Sequence, residues 1–267
     1  MDLLIFDTKK NYRKQTDVRT IITRDELVEM ISYNCIEAVL IGGLIQINDE
    51  QISEILYEVA GFGFYLEDNR EEFKKVSDTC FLDNEEEANT WSSMLPATNI
   101  LVLTPEETAL LALDWKVLRI KKLGNYIENE KLWLKLGEIH GDREDFAKSF
   151  CVYRFLRDKG WKVRNGLTFG CDFLIYCLGA QYFHSSAGVL ICENIDPIKM
   201  LSMTRILSHN KKALLLASCQ ISGSSTFEEA VNTEVKIVAL KTHYFDRYVP
   251  EISQKLNDLY QIGETID

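Results

Sequence analysis

Val152-Tyr153-Arg154-Phe155-Leu156-Arg157-Asp158-Lys159-Gly160-Trp161-Lys162-Val163-Arg164-Asn165-Gly166-Leu167-Thr168-Phe169-Gly170-Cys171-Asp172-Phe173-Leu174-Ile175-Tyr176 passes from a helical pattern to a strand pattern. From Asp145 to Lys159 the apolar positions Ala147, Cys151, Val152, Phe155 and Leu156 recur every three to four residues, with Arg154, Arg157 and Lys159 on other faces. That spacing predicts an amphipathic helix ended by Gly160. Beyond it, β-type runs lie near 161–164, 172–178, 187–193, 213–219 and 235–240, interrupted by a short helix at about 199–208. The expectation is a helix packed on a mixed sheet.

Upstream, Ala38-Val39-Leu40-Ile41-Gly42-Gly43-Leu44-Ile45-Gln46-Ile47 is two β-type runs joined by Gly-Gly, the signature of a hairpin. Asn48 or Asp49 can cap a helix carrying Ile52, Ile55, Leu56 and Val59 and ended by Gly61. Asn84-Glu85-Glu86-Glu87 is a charge run of the kind found on solvated surfaces. Thr104-Pro105-Glu106-Glu107 is a capping box, with Thr104 as cap, Pro105 at the first helical position and Glu107 three residues after the cap. Its helix carries Ala109, Leu110, Leu113 and Trp115, and a second helix is expected around 128–138. The chain therefore reads as α/β (α+β): a small α/β domain over 1–98, a helical connector over 99–144 and a C-terminal domain over 145–267.

A hydrophobic content of 46% supports real cores and argues against disorder. Met1–Asp7 has neither a basic leader nor a small-residue cleavage site, and no apolar run approaches the roughly 20 residues a membrane span needs. Neither a signal peptide nor a membrane partner is expected. The cysteines (Cys35, Cys80, Cys151, Cys171, Cys177, Cys192, Cys219) never form a C-x-x-C pair, so they read as small buried thiols, not zinc ligands or disulfides. A net charge of −11 argues at first against a polyanionic partner. The distribution reverses this. Acidic side chains outnumber basic ones by 13 over residues 1–145 and by 4 over 213–267, whereas basic ones lead by 6 over 146–212.

The stretch 152–176, followed by Tyr182-Phe183-His184-Ser185 and Lys212-Ala213-Leu214-Leu215-Leu216-Ala217, carries four ordered motifs. They are a Y-x-x-L-R-x-x-G helix, a G-x-x-[FY]-G-x-D-F-x-x-Y segment, an [FY]-H-[AS] step, and a lysine opening an apolar strand. Together they resemble the catalytic domain of the tRNA-splicing endonuclease family over about 70 residues. Leu103–Glu107 and Gly61-Phe62-Gly63 resemble the preceding region more weakly. The eight-residue step from Tyr176 to His184 is more like the eukaryotic catalytic subunits than the archaeal enzymes.

The resemblance implies a metal-independent RNA lyase without a cofactor. A ribose 2′-hydroxyl attacks its own phosphate, leaving a 2′,3′-cyclic phosphate and a 5′-hydroxyl. Such a reaction needs a base, an acid for the leaving oxygen and a cation for the crowded phosphorane-like state. By their motif positions Tyr176 is the base, His184 the acid and Lys212 the cation. A phenol is a poor base unless positive charge lowers its pKa. Imidazole suits the acid role because it titrates near working pH. Lys211 is the rival of Lys212, and the family's lysine directly precedes x-L-L-L, which selects Lys212.

In the family an arginine and an aromatic residue can sandwich a flipped-out base. Arg205 matches the arginine position, while His243-Tyr244-Phe245 stands where a tryptophan is expected. His140 and His209 have no motif behind them and read as surface residues. Glu228 and Glu229, in the stretch 222–233, read as part of a solvated loop, with an acidic plug for a partner subunit as the alternative. The implied partners are precursor tRNA and other splicing-endonuclease subunits, as a homo-oligomer or a heterotetramer, and the implied location is the nucleus, or else the cytoplasm. The acidic N-terminal part suits partner contact. The competing reading is a non-catalytic structural subunit of the same complex. No P-loop, G-x-S-x-G elbow or carboxylate cluster supports an unrelated hydrolase.

Overall fold

The computed structural model describes residues 22–31, 35–65, 100–176, 184–192, 194–222 and 225–240. Helix α1 (Arg24–Ile31) buries Leu27 and Ile31. The hairpin follows as β1 (Ile36–Ile41) and β2 (Leu44–Ile47), paired antiparallel around Gly42 and Gly43. Both glycines have positive φ, 54° and 78°, the conformation a two-residue turn demands and a side chain resists. Asp49 caps α2 (Glu50–Glu54) by accepting from the Ile52 amide at 3.0 Å. The helix continues as a wider turn over Ile55–Ala60 before Gly61 closes it.

These elements belong to a six-stranded sheet completed by β3 (Phe64–Tyr65), β4 (Leu101–Leu103), β5 (Leu118–Lys122) and β6 (Asn125–Tyr126). The order is β3-β4-β2-β1-β5-β6, with β1 and β5 parallel and the other neighbours antiparallel. Half of its strands thus come from 99–144, a stretch whose sequence shows only its helices. The buried Leu101–Leu103 run is too short to display a period, and Leu118–Lys122 becomes a strand by pairing with β1. The helices are there as well. Thr104 and Glu107 form the expected capping box on α3 (Pro105–Ala109), and α4 (Asn129–His140) follows.

The second half is α5 (Arg143–Asp158), β7 (Lys162–Asn165), β8 (Phe173–Tyr176), β9 (Ala187–Ile191), α6 (Pro197–His209), β10 (Ala213–Cys219), α7 (Phe227–Asn232) and β11 (Val235–Leu240). Its sheet runs β11-β10-β9-β8-β7, with only β9 and β10 parallel, joined by α6 as the crossover. Alternation along the strands separates two faces. Phe173, Ile175, Val189 and Leu215 share a core with α5, whereas Leu174, Leu190 and Leu214 meet Met203 and Leu207 of α6. The architecture is α+β with two mixed sheets. Glu228 and Glu229 lie in the first turn of α7, not in a loop: Thr226 and Glu229 close a capping box, and Ala230 is buried.

The two halves share one continuous core. Cations from the second half seat on carbonyls of the first. Arg157 Nη2 donates to the Ala60 carbonyl at 3.0 Å, Lys162 Nζ to that of Val59 at 2.9 Å, and Arg164 to that of Gly63. Arg154 pairs with Asp114 at 2.9 Å. Much of the basic surplus at 146–212 is therefore engaged internally. Burial, helped by the two neighbouring guanidiniums, pushes the Lys162 ammonium down to about 8.

His140 is not the surface residue the sequence suggests. Its Nε2 lies 3.3 Å from Oε1 of the buried Glu106, which also accepts from Ser149 Oγ at 2.6 Å. Burial alone would raise the Glu106 carboxyl, but the bonds from His140 and Ser149 hold it below the ordinary range. The same contact, with Asp145 nearby, raises the imidazole. Stability from His140 is therefore full below about pH 6.5 and lost as pH rises through the raised value. That from Glu106 is present above about pH 4.5 and lost as pH falls through its lowered value. The expected result is a Tm gap between parent and His140→Ala that is widest between those limits and narrows as pH rises above them. A gap independent of pH in thermal unfolding would contradict it.

Candidate active site

Register places two of the candidate residues in one row across three strands. β8 meets β9 at Ile175↔Ala187, and β9 meets β10 at Ala187↔Ala213. One step further, Tyr176 and Lys212 flank Ser186 from opposite sides. The Ser186 amide still donates to the Ile175 carbonyl at 2.8 Å, and the Ala213 amide to the Ser186 carbonyl at 3.2 Å. His184 is two residues before Ser186 in the chain and is exposed to solvent.

Lys212 reaches this row because of how α6 ends. The Lys211 amide donates to Ser208 and the Lys212 amide to Leu207, and Lys211 takes a left-handed φ of 55°. That turn leaves Lys211 exposed and Lys212 half-buried. Lys212 Nζ donates to the Ser185 carbonyl at 3.1 Å, directly after His184. Tyr176 is also half-buried. Burial raises its phenol, and although the Ser185 hydroxyl and the Arg164 charge pull it back, the balance stays upward. The positive charge of Arg164 thus acts on the phenol, but burial outweighs it.

Arg205 is not brought into this row. α6 turns Met203 and Leu207 towards the sheet, and Arg205 is exposed on the helix with Ile198 and Leu201. His243, Tyr244 and Phe245 lie outside the described residues. So do Tyr182 and Phe183 of the histidine step. Among the described residues no group of three His, Cys, Asp or Glu side chains gathers as a metal site would need.

Other residues hold the row in place; Gly166 and Asp172 stand at motif positions in the sequence, whereas Gly188 belongs to none of the motifs. Asp172 Oδ2 accepts from the Ile191 amide at 2.6 Å, tying the turn before β8 to the end of β9. A Cβ on Gly166 would stand 2.6 Å from Cys171 Sγ, and one on Gly188 would stand 2.9 Å from both Cys171 Sγ and Leu207 Cδ1. Those positions let the turn and α6 pack closely over the strands that carry Tyr176 and Lys212.

Residues 146–227, which contain the whole row, match the family model described as tRNA intron endonuclease, catalytic C-terminal domain. This segment, less than half of the chain, is similar to the catalytic domain of that family. A tRNA-splicing endonuclease of Saccharolobus islandicus is 35% identical over 120 residues, covering 44% of this chain and 64% of that protein. The tRNA-splicing endonuclease of Saccharolobus solfataricus is 34% identical over 105 residues, covering 37% and 54%. The Saccharomyces cerevisiae tRNA-splicing endonuclease subunit SEN2 is 27% identical over 128 residues, covering 47% and 30%. The chain thus spans less than two thirds of the length of these curated relatives. The four motifs lie within the stretch that these similarities cover, in agreement with the resemblance to tRNA-splicing endonucleases.

Proposed function

We propose that this chain is a catalytic subunit of a tRNA-splicing endonuclease, cutting precursor tRNA at an intron boundary to leave 2′,3′-cyclic phosphate and 5′-hydroxyl ends. The observation that carries the reading is the convergence of Tyr176 and Lys212 on the His184-Ser185 step at one end of the second sheet. Tyr176 takes the 2′-proton, His184 protonates the leaving 5′-oxygen, and Lys212 stabilises the charge on the crowded phosphate. Precursor tRNA, further endonuclease subunits and a nuclear location belong to the same reading. Arg205 is its substrate contact, on the exposed face of α6.

The test is cleavage of an intron-containing precursor tRNA by the purified chain, alone and with candidate partner subunits. With the three roles filled by side chains, chelation of divalent metals should leave the rate nearly intact while a polyamine keeps the RNA folded. Complete loss of cutting under chelation would overturn the mechanism. The raised phenol of Tyr176 favours one second reading, a structural subunit that binds the complex without cutting. It predicts that Tyr176→Phe leaves the assembled complex fully active.

A further inference from the structure

The ammonium of Lys212 has an aromatic neighbour that none of the three catalytic roles uses. Phe169 closes the short 3-10 turn Leu167–Phe169, and its ring centroid lies 5.3 Å from Lys212 Nζ. We propose that Phe169 is a positioning residue, its ring face steering the Lys212 ammonium towards the phosphate while the Ser185 carbonyl holds it from the strand side.

A lysine side chain is long and its ammonium strongly hydrated, so a fixed direction needs built neighbours. The ring is anchored. Gly170 follows at φ 74°, Asp172 ties the same turn to Ile191, and Phe169 packs against the cluster of Cys171, Leu174, Met203 and Leu207. An aromatic face suits this task better than a carboxylate. It attracts the cation through its quadrupole without cancelling the charge, so the ammonium keeps its full pull on an incoming phosphate. The packing against α6 would exist for any apolar side chain, and only the electrostatic part distinguishes the proposal.

The proposal rests on the assignment of Lys212, and the experiment separates the two. In the full-length chain, purified in its assembled form, Phe169 is replaced by mono-, di- and trifluorophenylalanine, which drain the ring face with little change of shape. Single-turnover cleavage and binding of an intron-containing precursor tRNA are measured for each. The expected result is a stepwise fall in rate reaching roughly 3- to 10-fold, within the range of a cation–π contact, with binding and Tm unchanged. Phe169→Tyr should stay near the parent. In a Lys212→Ala background, itself strongly impaired, the fluorine series should be flat. Parental rates across the series, or a slope that persists without Lys212, would overturn the role of Phe169 while leaving Lys212 intact. Parental cleavage by Lys212→Ala would remove the lysine assignment and this proposal with it.

Discussion

His184→Ala should lower the single-turnover cleavage rate by at least about 100-fold, since a positioned general acid contributes typically 10²–10⁴-fold. Precursor binding should hardly change, because the role proposed for the imidazole is exerted in the transition state and its side chain is exposed. His209→Ala, at the exposed last turn of α6, is the matched control and should cleave like the parent. His140→Ala cannot serve as one, because its imidazole holds the buried Glu106. A 5′-sulfur leaving group needs little protonation, so it should restore cleavage by His184→Ala while leaving Lys212→Ala impaired. Parental cleavage of the ordinary substrate by His184→Ala, in an assembled complex, would end the acid assignment.

Substituting deoxyribose at the cleaved position should abolish cutting altogether, an effect larger than any single side chain can give. The proposed nucleophile is the 2′-hydroxyl itself, so its removal leaves Tyr176 with no proton to take. Binding should persist, since the contact proposed for Lys212 is with the phosphate and not the 2′-oxygen. A product bearing a 5′-phosphate, or cleavage of the deoxy substrate, would point to attack by water instead.

The second sheet was legible in the sequence because β8, β9 and β10 are separate apolar runs and β11 is largely apolar, whereas β7, Lys162–Asn165, has only Val163 as an apolar residue and is marked by its place just after Gly160 ends the helix. Its helices announce themselves by period. Of the six strands in the first sheet only two were legible: β1 and β2 carry a Gly-Gly turn between them, but Leu101–Leu103 and Leu118–Lys122 are strands by virtue of their neighbours, which no local pattern reports. For the candidate site, motif order singled out Tyr176, His184 and Lys212, and register explains how Tyr176 and Lys212 come level although 36 positions separate them. What charge counting could not reveal is the destination of the cations. Arg154, Arg157, Lys162 and Arg164 look like an RNA surface in one dimension and are internal fasteners in three. Nor could it show that burial would outweigh nearby charge at the phenol of Tyr176.

Those fasteners bear on how the protein can be dissected. A fragment beginning near Asp145 would lose the carbonyls of Val59, Ala60 and Gly63 and strip the covering from a shared apolar core. Three cations now turned inward would face solvent beside bare hydrophobic surface. Such a fragment would cling to any polyanion through counterion release. Its affinity for RNA would look like recognition while measuring only the missing half.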